Sequence, residues 1–249
     1  MKKNKGFFTL LFTSLSIILI LITYSAVQQQ KQIKSKAATT GQCVNRRTDT
    51  STEELSNVQI KMKISLQGIT ANYPPEELTD NVIHARILLV NEKSGKQEKD
   101  PVTFQANQDR TWTGTAEFEK LDVSQRYYVL IKPKKHIQKK ICDLTPQDPP
   151  NEPGYYSCRF GKFVDLKEGL NEFDFSGIRI LAGDLQIGGT QDGNINAEDL
   201  GTLKNLIDKD DSQITDEDLK VADLDLNGKV EAHDWSLMIE SLEVKYDEK

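Results

Sequence analysis

The segment DLDLNGKVEAHD, Asp223 to Asp234, constrains the fold of this chain more than any other stretch of its sequence. Oxygen-bearing side chains recur at alternate positions of this twelve-residue segment. Gly228 stands in its middle, where a sharp reversal of the chain favours a residue without Cβ. Ca²⁺ takes about six to eight oxygen ligands, and one short loop can supply them only with this kind of spacing. The segment therefore predicts a calcium-binding loop that leads into a helix.

Every ligand position of this loop is filled. The predicted ligands are, in order, Asp223, Asp225, Asn227, the backbone carbonyl of Lys229, Glu231 and Asp234. Because Lys229 would contribute only its carbonyl, its side chain is free to be cationic. Glu231 would bind directly or through water, and Asp234 closes the shell from the first turn of the following helix.

A second, altered copy of the loop lies upstream. The segment DGNINAED matches NGKVEAHD at an offset of 35 residues, which indicates an internal duplication. The ligands predicted for this first loop are Asp184, Asp192, Asn194, Asn196 and Asp199. Asp184 precedes Asp192 by eight residues instead of four, so four residues are inserted within LQIGGTQ. Gln186, Thr190 or a backbone carbonyl could replace the ligand that is missing at the third loop position, where the second loop has Asp225. Whether this first site is occupied stays open.

Each loop is predicted to lead into an amphipathic helix. Apolar residues follow the closing aspartate by four and eight positions, on one helical face. They are Leu203 and Ile207 after the first loop and Met238 and Leu242 after the second. Between the two copies, the sequence TDED predicts a capping box of Thr215 and Asp218 at the start of a short helix.

A loop followed by a helix, repeated without the entering helix of an ordinary EF-hand, resembles a type I dockerin over about residues 181–242. The resemblance implies two Ca²⁺ ions and docking onto a cohesin-like domain of another protein, usually in assemblies that handle polysaccharides. The family's recognition pair, often Ser-Thr at loop positions 10 and 11, is Ala197-Glu198 here and Ala232-His233 in the repeat. A divergent partner and packing against the chain's own β-domain therefore stay open beside a conventional cohesin.

The N-terminal region predicts a membrane anchor. Residues 6–27 carry no charge and are long enough to span a hydrocarbon core of about 30 Å as a helix. We expect residues 1–5 to be a cytoplasmic tip, residues 6–27 a transmembrane signal anchor and residues 28–55 a polar spacer. This places the bulk of a single-pass cell-membrane protein outside the cytoplasm. Cleavage as a signal peptide or a prepilin-like leader are the alternatives.

Residues 56–181 predict an all-β sandwich of immunoglobulin-like type, followed by the dockerin-like domain at residues 182–245. Alternating apolar residues from Val58 to Leu66 are typical of a half-buried strand. Further strands are predicted at 82–91, 102–106, 111–119, 126–132, 137–143, 155–165 and 171–175. The stretch YYVLIKPKKHIQKKI is similar to the last hairpin of carboxypeptidase-regulatory-like sandwiches.

Three features of this β-domain carry further expectations. Cys142 and Cys158 flank a proline-rich turn and are the natural disulfide pair outside the cytoplasm, with separate thiols as the alternative. The run KPKKHIQKK is expected to be mainly a solvated hairpin face, with an anion-contacting patch as the alternative. The aromatic residues Trp112, Tyr127, Tyr128, Tyr155, Tyr156 and Phe160 are expected to be mainly core, with a glycan-binding face as the alternative.

Charge and motif content narrow the function. Residues 182–249 hold 18 acidic and 6 basic residues, a charge that repels phosphate. The lysines of residues 1–181 form no basic stripe interleaved with aromatic residues, so nucleic acid is not an expected partner. The three histidines have no zinc-spaced companion, and no nucleophile or phosphate-binding motif occurs, so we expect no enzyme. The sequence predicts a membrane-anchored protein that binds a partner protein through its Ca²⁺-dependent C-terminal module. The alternative is a surface carbohydrate-binding or adhesion protein in which Ca²⁺ is only structural.

Overall fold

The computed structural model describes residues 55–69, 76, 78–91, 95–159, 161–244 and 246–248. The predicted cytoplasmic tip, the membrane anchor and residues 28–54 of the spacer lie outside the described residues. Among the helices that are described, none has the length and apolar character needed to cross a membrane. Residues 52–249 form one compact unit.

The first part of this unit is a single β-sheet. Its strands in chain order are β1 (Leu55–Leu66), β2 (Val82–Asn91), β3 (Gly95–Ala106), β4 (Trp112–Asp122), β5 (Arg126–Pro133), β6 (Lys139–Ile141), β7 (Val164–Asp165) and β8 (Gly169–Ile180). Their order across the sheet is β6-β5-β2-β3-β4-β1-β8, and β7 pairs with β5 beside this path. The β1–β8 pair is parallel, and the other pairs are antiparallel.

The sheet surrounds one hydrophobic core. In β1 every second residue from Val58 to Leu66 is buried, as the period-2 pattern predicts. A single core cluster contains Ile141 of β6 and Phe175 of β8, which belong to strands at opposite ends of the strand order. The sheet therefore curves around this core. The predicted sheet-rich domain is confirmed, and its immunoglobulin-like subtype stays a prediction.

The predicted strand 155–165 is mostly irregular. Only Val164 and Asp165 pair in a ladder, with β5. The carboxylate of Asp148 accepts hydrogen bonds from the backbone N–H groups of Gly154 (2.7 Å) and Tyr156 (2.9 Å), so a side chain replaces a strand partner there. The predicted disulfide between Cys142 and Cys158 is confirmed. It joins the end of β6 to this irregular region, with a Cα–Cα distance of 5.6 Å between the two cysteines.

The expectation of a solvated face for the run KPKKHIQKK is wrong. Lys132, Lys135 and Lys139 are buried, and only Lys134 among its first four lysines is exposed. Buried ammonium groups need partners because desolvation penalises an unpaired charge. Lys139 finds one in Glu248, at 2.8 Å, and it also donates to backbone carbonyls of the disulfide-linked segment.

Three of the five described candidate glycan-binding aromatics are core residues. Trp112, Tyr127 and Tyr156 are buried within the sheet's core cluster, which confirms their expected role. Tyr155 is 37% exposed and donates its hydroxyl hydrogen to Glu243. Phe160 lies outside the described residues.

The second part of the unit is helical. It contains α1 (Ala197–Ile207), α2 (Asp216–Ala222) and α3 (Ala232–Ser241), with 3₁₀ turns at Asp211–Gln213 and Leu242–Val244. The predicted capping box is confirmed, since the side chains of Thr215 and Asp218 each accept a hydrogen bond from the other's backbone N–H. Leu203 and Met238, both predicted to face inward, are completely buried in a second core cluster.

Gln67 connects the sheet to α3. This buried residue follows β1, and its Nε2 donates to the backbone carbonyl of Leu237 (3.2 Å). Its Oε1 accepts from the backbone N–H of Ala182 (2.8 Å) and from the Ser241 hydroxyl (2.7 Å). One buried amide therefore satisfies groups from the sheet–helix connection and from α3, and it fixes α3 against the sheet.

Candidate metal centre

Three buried carboxylates converge in the second loop. Asp223, Asp225 and Asp234 each offer an oxygen, and these oxygens lie within 4.8 Å of one another. Because Ca–O distances are about 2.3–2.6 Å, oxygens that share one ion can be no more than about 5 Å apart. Acidic groups at this spacing and burial suit a hard divalent cation, so the residues present fit calcium.

Backbone hydrogen bonds place these carboxylates. Asp234 accepts from the N–H groups of Leu224 (2.7 Å) and Glu231 (2.8 Å), the second of which is the α3 capping box. Asp223 accepts from the N–H of Gly228 at 2.9 Å. Gly228 has φ +83°, and a Cβ there would lie 2.6 Å from Thr79, so the turn requires glycine.

The remaining predicted ligands of this loop are Asn227, the carbonyl of Lys229 and Glu231. The Nδ2 of Asn227 donates to Asp225 (3.0 Å) and to Glu231 (3.2 Å), so these three side chains meet. Lys229 is exposed, as its predicted role through the carbonyl allows. His233, which the sequence placed at a non-ligand position, lies with Nδ1 2.6 Å from the Oδ2 of Asp225.

Burial disfavours the charged forms of the carboxylates of this loop. Burial raises the pKa of Asp223 to about 7, although the positive charge of Lys135 acts in the opposite direction. Burial also raises the pKa of Asp234 to about 6. Lys135 donates to the backbone carbonyl of Asp223, and burial lowers the pKa of this lysine. A bound cation would relieve the charge that burial penalises.

These pKa shifts predict that calcium stabilises the protein less in acid. Asp223 and Asp234 have folded-state pKa values above their ordinary 3.8, so the metal-free folded state holds protons that the unfolded chain has lost. This protonation stabilises the metal-free fold, and the contribution is lost as pH rises from about 4 to about 7. Calcium must displace the same protons.

We therefore expect the calcium-induced gain in unfolding free energy to be smaller at pH 5 than at pH 7.5. Urea unfolding at both pH values, with calcium and in calcium-free buffer, measures this gain. Taking the difference between the two buffers removes the contribution of carboxylates far from the loop. Equal gains at both pH values would contradict the assignment of these two carboxylates to the metal.

The first loop repeats the backbone scaffold of the second. Asp199 accepts from the N–H groups of Leu185 (2.8 Å) and Asn196 (2.9 Å), as Asp234 does from their counterparts. The N–H of Gly193 donates to Asp184 at 3.1 Å, as Gly228 does to Asp223. The duplication read from the sequence is therefore a duplication of structure.

The predicted ligands of the first loop are not gathered in the same way. Asp192 accepts from the Nδ2 of Asn196 (2.8 Å) and from the backbone N–H of Asn194 (2.8 Å). Asp184 contacts Lys132 instead of a second acidic ligand of the loop. Within the described part of the chain, the trio of the second loop is the only group of three His, Cys, Asp or Glu side chains with metal-ligand spacing.

The four inserted residues explain part of this difference. The insertion closes on itself as a turn, in which the N–H of Gly189 donates to the Gln186 carbonyl at 3.2 Å. Gly188 and Gly189 have φ values of +63° and +87°, which glycine adopts without strain. The second loop has Asp225 between Asp223 and Asn227, whereas the residues between Asp184 and Asp192 include no acidic side chain. The first loop therefore lacks a counterpart of the Asp225 carboxylate.

Several residues of these sites were missed by sequence reasoning. Lys132 and Lys135 come from the end of β5 and the turn after it, and Gln191 donates from Nε2 to the backbone carbonyl of Asp184 (2.9 Å). Asp247 follows the last helical turn and lies 2.6 Å from Lys132. In the sequence, the only sign that these lysines contact the loops was the opposite charge of the basic run 132–140 and the acidic C-terminal region 182–249.

Comparison with known proteins agrees with this geometry. Residues 190–243 match the family model described as the dockerin type I domain. The C-terminal module is a dockerin type I-like domain. The family match begins within the first loop and ends after α3, so it covers the paired loop–helix repeat and not the sheet.

One solved structure similar to this chain is a type II cohesin–X–dockerin complex from Acetivibrio cellulolyticus, an interface mutant. The identity is 17%, the TM-score is 0.40, and the match covers 74% of this chain and 94% of the other. No curated protein matches the chain.

Proposed function

We propose that this chain is a membrane-anchored, extracytoplasmic docking protein whose dockerin-like module binds a cohesin-like domain of another protein when calcium is bound. The observation that carries the proposal is the buried trio Asp223, Asp225 and Asp234 in a loop that leads into α3. The ion is proposed to be held by these three carboxylates together with Asn227, the carbonyl of Lys229 and Glu231. Its charge makes the folded loop stable and so fixes the direction of α3.

The outer face of α1 is the proposed docking surface. Ala197, Glu198, Gly201, Lys204 and Asn205 of this helix are exposed. The opposite face of α1 is buried through Leu203 and Leu206 against the module's own core. By contrast, α3 is committed on one side to the sheet, where Glu240 contacts Gln67 at 3.1 Å. A partner can therefore reach the outer face of α1 without displacing a contact with the sheet.

No catalytic role is proposed for the chain, and polysaccharide-related assembly is the setting in which we expect it to act. A glycan-binding role has less support because Trp112, Tyr127 and Tyr156 are buried. The uncharged segment 6–27 supports the proposed anchor, with the remainder of the chain on the outer side.

A binding experiment with a blocking variant tests this function. We expect the full chain to capture a cohesin-like domain in calcium and to release it on chelation. Gly201→Arg places a long side chain on the α1 face without strain, since a Cβ at Gly201 meets no atom within 4 Å. This variant should lose binding by at least tenfold and keep its calcium-dependent stability.

Ser212→Arg is the matched control, because Ser212 is exposed in the turn between α1 and α2. It should bind as the unmodified chain does. Capture that persists in chelator would show that the docking is not calcium-dependent and would contradict the proposal. A Gly201→Arg chain that binds normally would remove α1 as the docking surface.

A further inference from the structure

The sheet places a lysine in the first loop. Lys132 stands near the end of β5, opposite Arg86 in the ladder with β2, and its side chain is only 6% exposed. Its ammonium contacts the Oδ2 of Asp184 and lies 2.6 Å from the Oδ1 of Asp247. Asp184 is the first ligand position of this loop and the counterpart of Asp223 in the second.

We propose that Lys132 provides, in the first loop, the positive charge that Ca²⁺ provides in the second, so that the chain binds one Ca²⁺ ion and not two. This inference rests on the proposed function, because it assumes that the second loop binds calcium. It departs from the two ions that the family resemblance implies.

The donor set of the first loop agrees with a single positive charge. No acidic residue lies between Asp184 and Asp192, so the opening pair of acids found in the second loop, Asp223 and Asp225, is reduced to Asp184 alone. Asp192 is turned to the amide of Asn196 and the backbone of Asn194. A divalent ion placed near Lys132 would also be repelled by the ammonium, and this repulsion is strong where water is excluded.

Asp247 covers the loop from the outside. Its backbone N–H donates to the carbonyl of Gly193 at 2.9 Å, and its Oδ1 accepts from the backbone N–H of Gln138 at 2.6 Å. A Cβ on Gly193 would lie 2.8 Å from the Oδ2 of Asp247, so this carboxylate occupies the space beside the turn. Lys132 is thus enclosed between one carboxylate of the loop and one from the C-terminal segment.

The competing occupant is a metal ion on the other oxygen of Asp184. That oxygen, Oδ1, is buried without a hydrogen-bond partner. A calcium ion held there would coexist with Lys132 on Oδ2, and the chain would then bind two ions. The number of bound ions therefore distinguishes the two arrangements.

Equilibrium dialysis of the purified full chain against calcium, followed by metal analysis, tests the inference. We expect one Ca²⁺ per chain and, for Asp225→Ala, which removes the ligand oxygen, none. Two ions in the unmodified chain, or one ion left in a folded Asp225→Ala chain, would overturn the inference and leave the proposed function intact. No ion in the unmodified chain would overturn both.

A second measurement does not depend on metal. In chelator, Lys132→Met should lower the folded-to-unfolded equilibrium constant by roughly a hundredfold or more, because it leaves buried carboxylates without their cation. Lys134→Met is the matched control at an exposed lysine two residues away, and it should change the constant less than about threefold. Equal effects of the two substitutions would overturn the role of Lys132, and failure of Lys132→Met alone to fold would support it.

Discussion

Replacing Asp234 with alanine is expected to lower the unfolding free energy by about 5–9 kcal/mol when calcium is about 100-fold above its dissociation constant. The substitution leaves the N–H groups of Leu224 and Glu231 without their acceptor in a buried loop. Stranded groups of this kind cost about 1–3 kcal/mol each. Loss of the bound ion removes about 2.7 kcal/mol more at that concentration. Urea unfolding followed by circular dichroism measures the sum.

Asp199→Ala is the matched control for this prediction. Asp199 occupies the same position in the first loop and accepts the same pair of backbone hydrogen bonds, from Leu185 and Asn196. In chelator the two variants should be destabilised to a similar extent. Added calcium should stabilise Asp199→Ala but not Asp234→Ala. If calcium stabilises both variants equally, the ion does not depend on Asp234.

The second large effect is expected at Gln67, far in sequence from either loop. Gln67→Leu should cost about 3 kcal/mol of unfolding free energy. It removes the acceptor of the completely buried Ala182 N–H and the donor to the Leu237 carbonyl. An apolar side chain of similar size fills the space, so the loss reports mainly on the hydrogen bonds between the sheet and α3.

Gln59→Leu is the control for Gln67. Gln59 is an exposed glutamine on β1 whose side chain contacts Glu117 on the surface at 2.9 Å, and its replacement should cost less than about 0.5 kcal/mol. Chemical unfolding of both variants in calcium gives the comparison. Equal stability of the two would show that the sheet and the dockerin-like module are not coupled through Gln67.

Local patterns in the sequence were sufficient for much of the architecture. β2 has the predicted bounds, Val82–Asn91, because apolar and β-branched residues continue over its length and turn residues flank it. The carboxylate cluster of the second loop was also predictable, since Asp223, Asp225 and Asp234 lie within twelve consecutive residues. The Thr215 capping box is likewise a short-range signal. In each case the interacting groups are close in sequence.

The parts that could not be predicted depend on long-range contacts. The segment 155–165 lost its strand pairing because Asp148 takes the backbone N–H groups of Gly154 and Tyr156, which residue propensities do not reveal. The basic run looked solvated because lysines usually are exposed. The carboxylates that form ion pairs with the buried Lys132 and Lys139 belong to Asp184, Asp247 and Glu248, at least 50 residues away along the chain.

The most direct test of the central claim is the thermal unfolding of the full chain with and without calcium. If the second loop closes around the ion through Asp223, Asp225 and Asp234, calcium at about 100-fold above its dissociation constant should raise the midpoint by roughly 5–10 °C. Magnesium at the same concentration should raise it less, because Mg²⁺ dehydrates reluctantly and demands a stricter geometry. Unfolding curves that superimpose with and without calcium would contradict a calcium-stabilised module.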